Sequence, residues 1–118
     1  MSLTATSRQS GGVTIIDLNG RLTLGDAAEL LRGTVVKAAE NNPRIILNLA
    51  GVSYMDSAGL AEMVSAHASV VRRNGTIRLL KVQERLRDLL RMTRLNTLFD
   101  MFEDEDEAVR SFRTAAGA

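Results

Sequence analysis

Asp56, Ser57 and Gly59 stand together in the stretch VSYMDSAGL, residues 52 to 60, directly after one apolar run and directly before another. A carboxylate, a hydroxyl and a glycine at this spacing admit two readings. Asp and Ser are preferred at helix starts, where a side-chain oxygen takes up a backbone N–H that the first turn leaves unpaired, so Asp56 or Ser57 is a candidate N-cap. The second reading is chemical. A serine hydroxyl beside free N–H donors is where a nucleophile could act, or where a phosphate could be attached and its charge met by the helix end.

Nucleophilic catalysis needs a base within about 3 Å of the hydroxyl. The single histidine, His67, lies ten residues further along the same predicted helix, about 15 Å away at the helical rise per residue. One chain therefore offers no Ser-His pair. A G-x-S-x-G elbow, a phosphate-cradling G-x-x-x-x-G-K-[ST] loop and any His or Cys cluster with metal-ligand spacing are also missing from the sequence. Neither an enzyme active site, nor a metal, nor a cofactor is expected. His67 falls on the apolar stripe of its helix and is expected to pack in the core.

The elements that position this turn follow from hydrophobic periodicity. Leu3 to Arg8 and the β-branched run Val13 to Leu18 flank Gly11-Gly12 and predict a hairpin. Gly20 and Gly25 bracket RLTL as a loop. Asp26 is then placed as the cap of a helix with apolar positions Ala27, Leu30, Leu31, Thr34, Val35 and Ala38, ended by Asn41-Asn42-Pro43. Residues 44 to 52, RIILNLAGV, form an unbroken apolar run of the kind found in a central strand covered on both faces.

From Ser57, the positions Leu60, Met63, Val64, His67, Val70 and Val71 recur at helical spacing up to Asn74-Gly75. TIRLL at 76 to 80 resumes a strand. Leu86, Leu89, Leu90 and Thr93 mark a helix over 84 to 94, NTLFDMF holds a short last strand, and Ala108, Val109 and Phe112 mark a final helix. Strands alternating with helices imply an α/β fold with a mostly parallel central sheet of about five strands, an N-terminal hairpin as its antiparallel edge, and four flanking helices.

At 118 residues with 45% hydrophobic content and a net charge of +1, the chain reads as a single domain, residues 1–118 with a core over residues 3–113. The absence of cysteine removes disulfides, thiolate metal sites and a thiol nucleophile. No basic leader followed by an apolar stretch opens the sequence, and no run approaches the ~20 apolar residues of a membrane span. Cytoplasmic location without membrane insertion is expected.

Residues 72 to 94 carry eight bases against two acids, and residues 100 to 107 carry six acids and no base. Opposed runs of this kind predict solvated faces that partly neutralise each other. With only Phe99 and Phe102 nearby there is no stacking platform for bases, and direct nucleic-acid binding is not expected.

The segment ILNLAGVSYMDSAGLAEMV resembles the centre of the anti-sigma factor antagonists, bacterial proteins of the STAS domain class. The likeness extends through the opening hairpin, LNGRLT, NGTIRLLKV and LRDLLRMTRLNTLF. It implies a STAS-like fold, a regulatory role in transcription without an active site, and partner switching. In that scheme the unphosphorylated protein binds an anti-sigma factor that is also a serine kinase, and thereby frees a sigma factor. Phosphorylation then breaks the complex and a PP2C-type phosphatase restores it.

By the resemblance Ser57 is the phosphorylation site. Asp56 orients the turn and aids kinase recognition, Gly59 permits close backbone approach, and Arg21, Thr23 and Asp26 flank a docking surface that includes Ala58. Two positions depart from the family pattern. Ala58 stands where many members have a second Ser or Thr, and Thr23 where members often have an aspartate. The same fold also serves non-phosphorylated adaptors, such as the cytoplasmic subunit of a lipid-transport ABC complex, and nucleotide-responsive modules. Self-association as a homodimer is left open by the sequence.

Overall fold

A computed structural model describes the protein over residues 3–117, with side chains over residues 3–113. The elements run β1 (Leu3–Ser10), β2 (Val13–Leu22), α1 (Asp26–Asn41), β3 (Arg44–Met55), α2 (Ser57–Val71), β4 (Thr76–Leu80), α3 (Glu84–Met92), β5 (Met101–Phe102) and α4 (Glu105–Gly117). The five strands lie in sequence order in one sheet. β1 and β2 form the antiparallel hairpin, and β2 through β5 are parallel. The expected α/β architecture, with its antiparallel edge, is the one observed.

Neighbouring residues of the strands enter opposite faces. Ile16, Leu18, Ile45, Leu47, Ile77 and Leu79 pack with Leu31 and Val35 of α1 and Met63 and Val70 of α2. Val13, Ile15, Ile46 and Leu80 pack with Ala108, Val109 and Phe112 of α4. Burial on both faces explains why β3 reads as an unbroken apolar run instead of an alternating one.

Several boundaries differ from those the sequence suggests. RLTL is not a loop throughout, because β2 continues to Leu22. Gly20 adopts φ 117 at a register shift against β3, so this glycine kinks the strand without ending it. β3 likewise continues past Val52 to Met55. Its pairing steps from Asp17↔Asn48 to Asn19↔Gly51, and from Gly20↔Val52 to Arg21↔Tyr54. At each step β3 holds one extra residue, so Leu49, Val52 and Met55 reach the same core at a spacing of three. The bulges break the period-two signal on which the shorter strand rested.

α1 has Gly25, not Asp26, as its N-cap, and no side chain caps it. The amides of Ala28 and Glu29 instead donate to the Thr23 and Gly25 carbonyls, at 3.2 and 3.1 Å. The buried face of α1 is Ala27, Ala28, Leu31, Val35 and Ala39. Leu30 is exposed, as is Val71 at the end of α2. α3 ends at Met92, with Arg94 in the left-handed region at φ 62. Of its predicted stripe, Leu86 and Leu90 are buried, Leu89 is half-buried and Thr93 is exposed.

The opposed charge runs do meet. Arg87 pairs with Glu103 at 2.8 Å and Arg78 lies 3.6 Å from Asp100, while the Arg78 guanidinium sits 4.3 Å from the centre of the Phe112 ring. Arg8 on β1 bridges Asp17 of β2 at 2.7 Å and Glu105 of α4 at 2.6 Å. This bridge ties the α4 start to the hairpin.

Candidate functional site

β2 and β3 are parallel neighbours, so their C-terminal ends and the helices that follow them emerge on one edge of the sheet. In open α/β sheets this edge is the usual place for function. Here Leu22 and Met55 are register partners, and the chain turns immediately beyond each of them. Residues 23–25 and Asp56 are the two turns.

Asp56 holds the two turns together. Its amide donates to the Leu22 carbonyl at 3.2 Å. One carboxylate oxygen, Oδ1, accepts from the Gly59 amide at 2.8 Å, the N-cap bond of α2. The other, Oδ2, accepts from the Leu24 amide at 3.1 Å. The Gly59 and Leu24 amides hold the Asp56 carboxyl below the usual carboxylate range, because both bonds favour its ionised form. Of the two cap candidates, Asp56 is the one used.

Gly59 is buried, and a Cβ built on it would meet the Leu22 carbonyl oxygen and carbon. Only a residue without a side chain lets α2 start this close to the end of β2.

Ser57 is the first residue of α2 and is exposed. Its hydroxyl makes no hydrogen bond to the described residues, since the cap position is already filled by its neighbour. Ala58 is half-buried beside it. Thr23 is half-buried in the opposite turn, Asp26 is exposed at the start of α1, and the Arg21 guanidinium lies 4.9 Å from the Tyr54 ring centre, which is a cation–π contact. The structure thus joins the turns of Arg21 to Asp26 and Asp56 to Gly59 through backbone and carboxylate contacts. Asp26 makes no polar contact to the turn that carries Ser57.

His67 is buried on α2 with its ring centre 4.9 Å from that of Phe99, and its Nδ1 has no hydrogen-bond partner. Burial lowers its pKa. It faces the core, as its place in the stripe implied. Among the described residues no group of three or more His, Cys, Asp or Glu side chains could hold a metal ion, and no helix is long and apolar enough to cross a membrane.

Sequence reasoning missed a cavity of about 330 Å³ beside this edge, between the end of β3 and α3. Met92, one of its lining residues, is 81% exposed. The signal was present in α3, where Leu89 and Met92 are three residues apart and lie off the buried positions Leu86 and Leu90.

A model of the STAS domain matches residues 4–108. The anti-sigma-B factor antagonist of Bacillus subtilis is 32% identical over 84 residues, which are 71% of this chain and 77% of that protein. Among solved structures, an anti-sigma factor antagonist from Mycobacterium paratuberculosis superimposes with a TM-score of 0.80 at 18% identity, covering 95% of each chain. The Bacillus cell-fate determinant SpoIIAA in its phosphorylated form does so with a TM-score of 0.70 at 22% identity, over 92% of this chain and 99% of that one. The family match covers most of the length and the fold agrees with it, and the chain belongs to the STAS domain family.

Proposed function

We propose that the protein is an anti-sigma factor antagonist that acts by partner switching, with Ser57 as its phosphorylation site. The observation that carries this reading is the state of the Ser57 hydroxyl. It is exposed and unbonded at the first position of α2, on a turn fixed by Asp56. A cap serine would be occupied by the helix. This one is free to enter a kinase site.

The transfer is an ordinary phosphoryl transfer from ATP. The Ser57 oxygen forms a bond to the γ-phosphorus, the bond from that phosphorus to the β–γ bridging oxygen breaks, ADP leaves, and the hydroxyl proton passes to the kinase's base. The kinase is the anti-sigma factor itself, and a PP2C-type phosphatase hydrolyses the phosphoserine to reset the protein. Arg21, Thr23, Asp26, Asp56 and Ala58 belong to the surface that docks on the kinase, and the buried Gly59 seats their turn against the end of β2.

A phosphoserine carries about −1.5 to −2 charges. At the α2 N-terminus it meets the positive end of the helix dipole and unpaired N–H donors, so the domain stays folded. The cost falls on the interface. A dianion beside the ionised Asp56 has to be desolvated before an acidic or apolar partner surface can close on it, a penalty on the order of 2 kcal/mol or more, or about thirtyfold in affinity.

The test is the affinity of the anti-sigma partner for the unmodified protein, Ser57→Ala and Ser57→Asp. Partner switching predicts tight binding of the first two and at least tenfold weaker binding of the third. Equal affinity for all three contradicts switching and fits an adaptor whose partner does not read Ser57.

A further inference from the structure

The cavity beside the Ser57 turn is at the lower end of the ~300–1,000 Å³ range of small-molecule sites, at about 330 Å³. Its lining is mainly aliphatic, with Val52, Met55, Leu86, Leu89 and Met92 between β3 and α3. The first three are buried and Leu89 is half-buried. Met92 at 81% and Tyr54 at 39% exposure leave further apolar surface to water at the same place, which is unfavourable unless something covers it.

The polar groups in the lining are not equivalent. The Gln83 amide donates to the Ala50 carbonyl at 2.7 Å. Asp88 is matched by Arg91 at 3.0 Å, one turn along the same helix. Arg85 makes no hydrogen bond or ion pair among the described residues, although it lines the same cavity. Ser53 Oγ donates to the Gly20 carbonyl at 3.3 Å, and of the charged groups in the lining only the Arg85 guanidinium, beside an aliphatic trough, is left without a partner among the described residues.

A guanidinium presents paired N–H donors that match the oxygens of a carboxylate, sulfate or phosphate. An aliphatic trough takes an alkyl chain. We propose that this cavity binds a single-tailed anionic amphiphile as a free monomer, with its head at Arg85 and its tail along Met55, Leu86, Leu89 and Met92. A cationic head would meet one acid that is already paired with Arg91 and one cation that has no partner among the described residues. This site does not depend on Ser57 being a phosphorylation site.

The experiment is an amide-resolved NMR titration of the full chain with dodecanoate below its micelle concentration, with dodecanol and dodecyltrimethylammonium as neutral and cationic counterparts. The expected result is one saturable site with shifts confined to residues 52–55 and 83–92, and binding of the cationic amphiphile at least tenfold weaker. Arg85→Gln should weaken dodecanoate roughly tenfold or more while leaving dodecanol unchanged. Leu89→Trp, which fills the trough, should remove both. Should that variant disturb the spectrum elsewhere, exposed Met92→Asp provides the same readout. Equal binding of anion and cation, shifts that spread without saturating, or association with phosphatidylglycerol vesicles in the absence of monomer binding would each overturn the proposal.

Discussion

The Asp56 carboxylate accepts the Leu24 amide at 3.1 Å across 32 residues of sequence. The same carboxylate caps α2 through Gly59, so one side chain fixes both turns of the edge. Asp56→Ala removes both bonds and leaves the Leu24 amide exposed to water. A fall in melting temperature on the order of 5 °C is expected. Amide exchange should rise at Leu24 and Gly59 and leave β3 unchanged. Unaltered exchange at Leu24 would show that the turn is held by other contacts.

Gly59 gives a second prediction. A methyl group at this position runs into the backbone of Leu22, which cannot move without shifting the end of β2. Gly59→Ala is expected to cost about 2 kcal/mol in urea unfolding. Ser57→Ala should cost under about 0.5 kcal/mol, because Ser57 is not the cap.

His67 is buried with Nδ1 unpaired and its pKa lowered from 6.5 by desolvation. The unfolded chain then binds a proton that the folded chain resists. The stability due to neutral His67 is complete above about pH 6.5 and is lost as the pH falls through the lower folded value, with a slope of at most about 1.4 kcal/mol per pH unit. His67→Leu should flatten the stability profile in that window, read by urea unfolding at steps from pH 7.5 to 5. An unchanged slope would assign the pH dependence elsewhere.

Arg8 gives a fourth prediction. Its bonds to Glu105 and Asp17 hold both carboxyls below the usual carboxylate range and raise the pKa of the guanidinium. All three side chains are partly exposed, so screening limits their worth. Arg8→Met is expected to cost about 1 kcal/mol at low salt and clearly less at 1 M salt. Its largest amide-exchange change should be at the start of α4.

Much of this was legible in the sequence. The alternation of apolar runs with helical stripes gave element order and sheet type, because every run except the two-residue β5 had enough residues for its period to be counted. The turn at Asp56 was legible because Asp, Ser and Gly have few other reasons to follow a buried strand. What escaped had local physical causes. The two bulges of β3 shifted Val52 and Met55 out of the period-two pattern, so the strand seemed to end early. Gly20 looked like a terminator but serves a kink inside β2. The cap of α1 was misplaced because backbone carbonyls of Thr23 and Gly25 do what the Asp26 side chain was expected to do. The ion pairs from Arg8 to Asp17 and Glu105 join residues 9 and 97 positions apart, a separation at which spacing rules carry no information.

Phosphorylation of Ser57 is what makes this protein a switch. Its most direct test is intact-mass measurement of the protein and of Ser57→Ala after incubation with ATP and the serine kinases of its own source. One added phosphate is expected on the unmodified protein and none on the variant. No phosphate on either, or one that persists in Ser57→Ala, would contradict it.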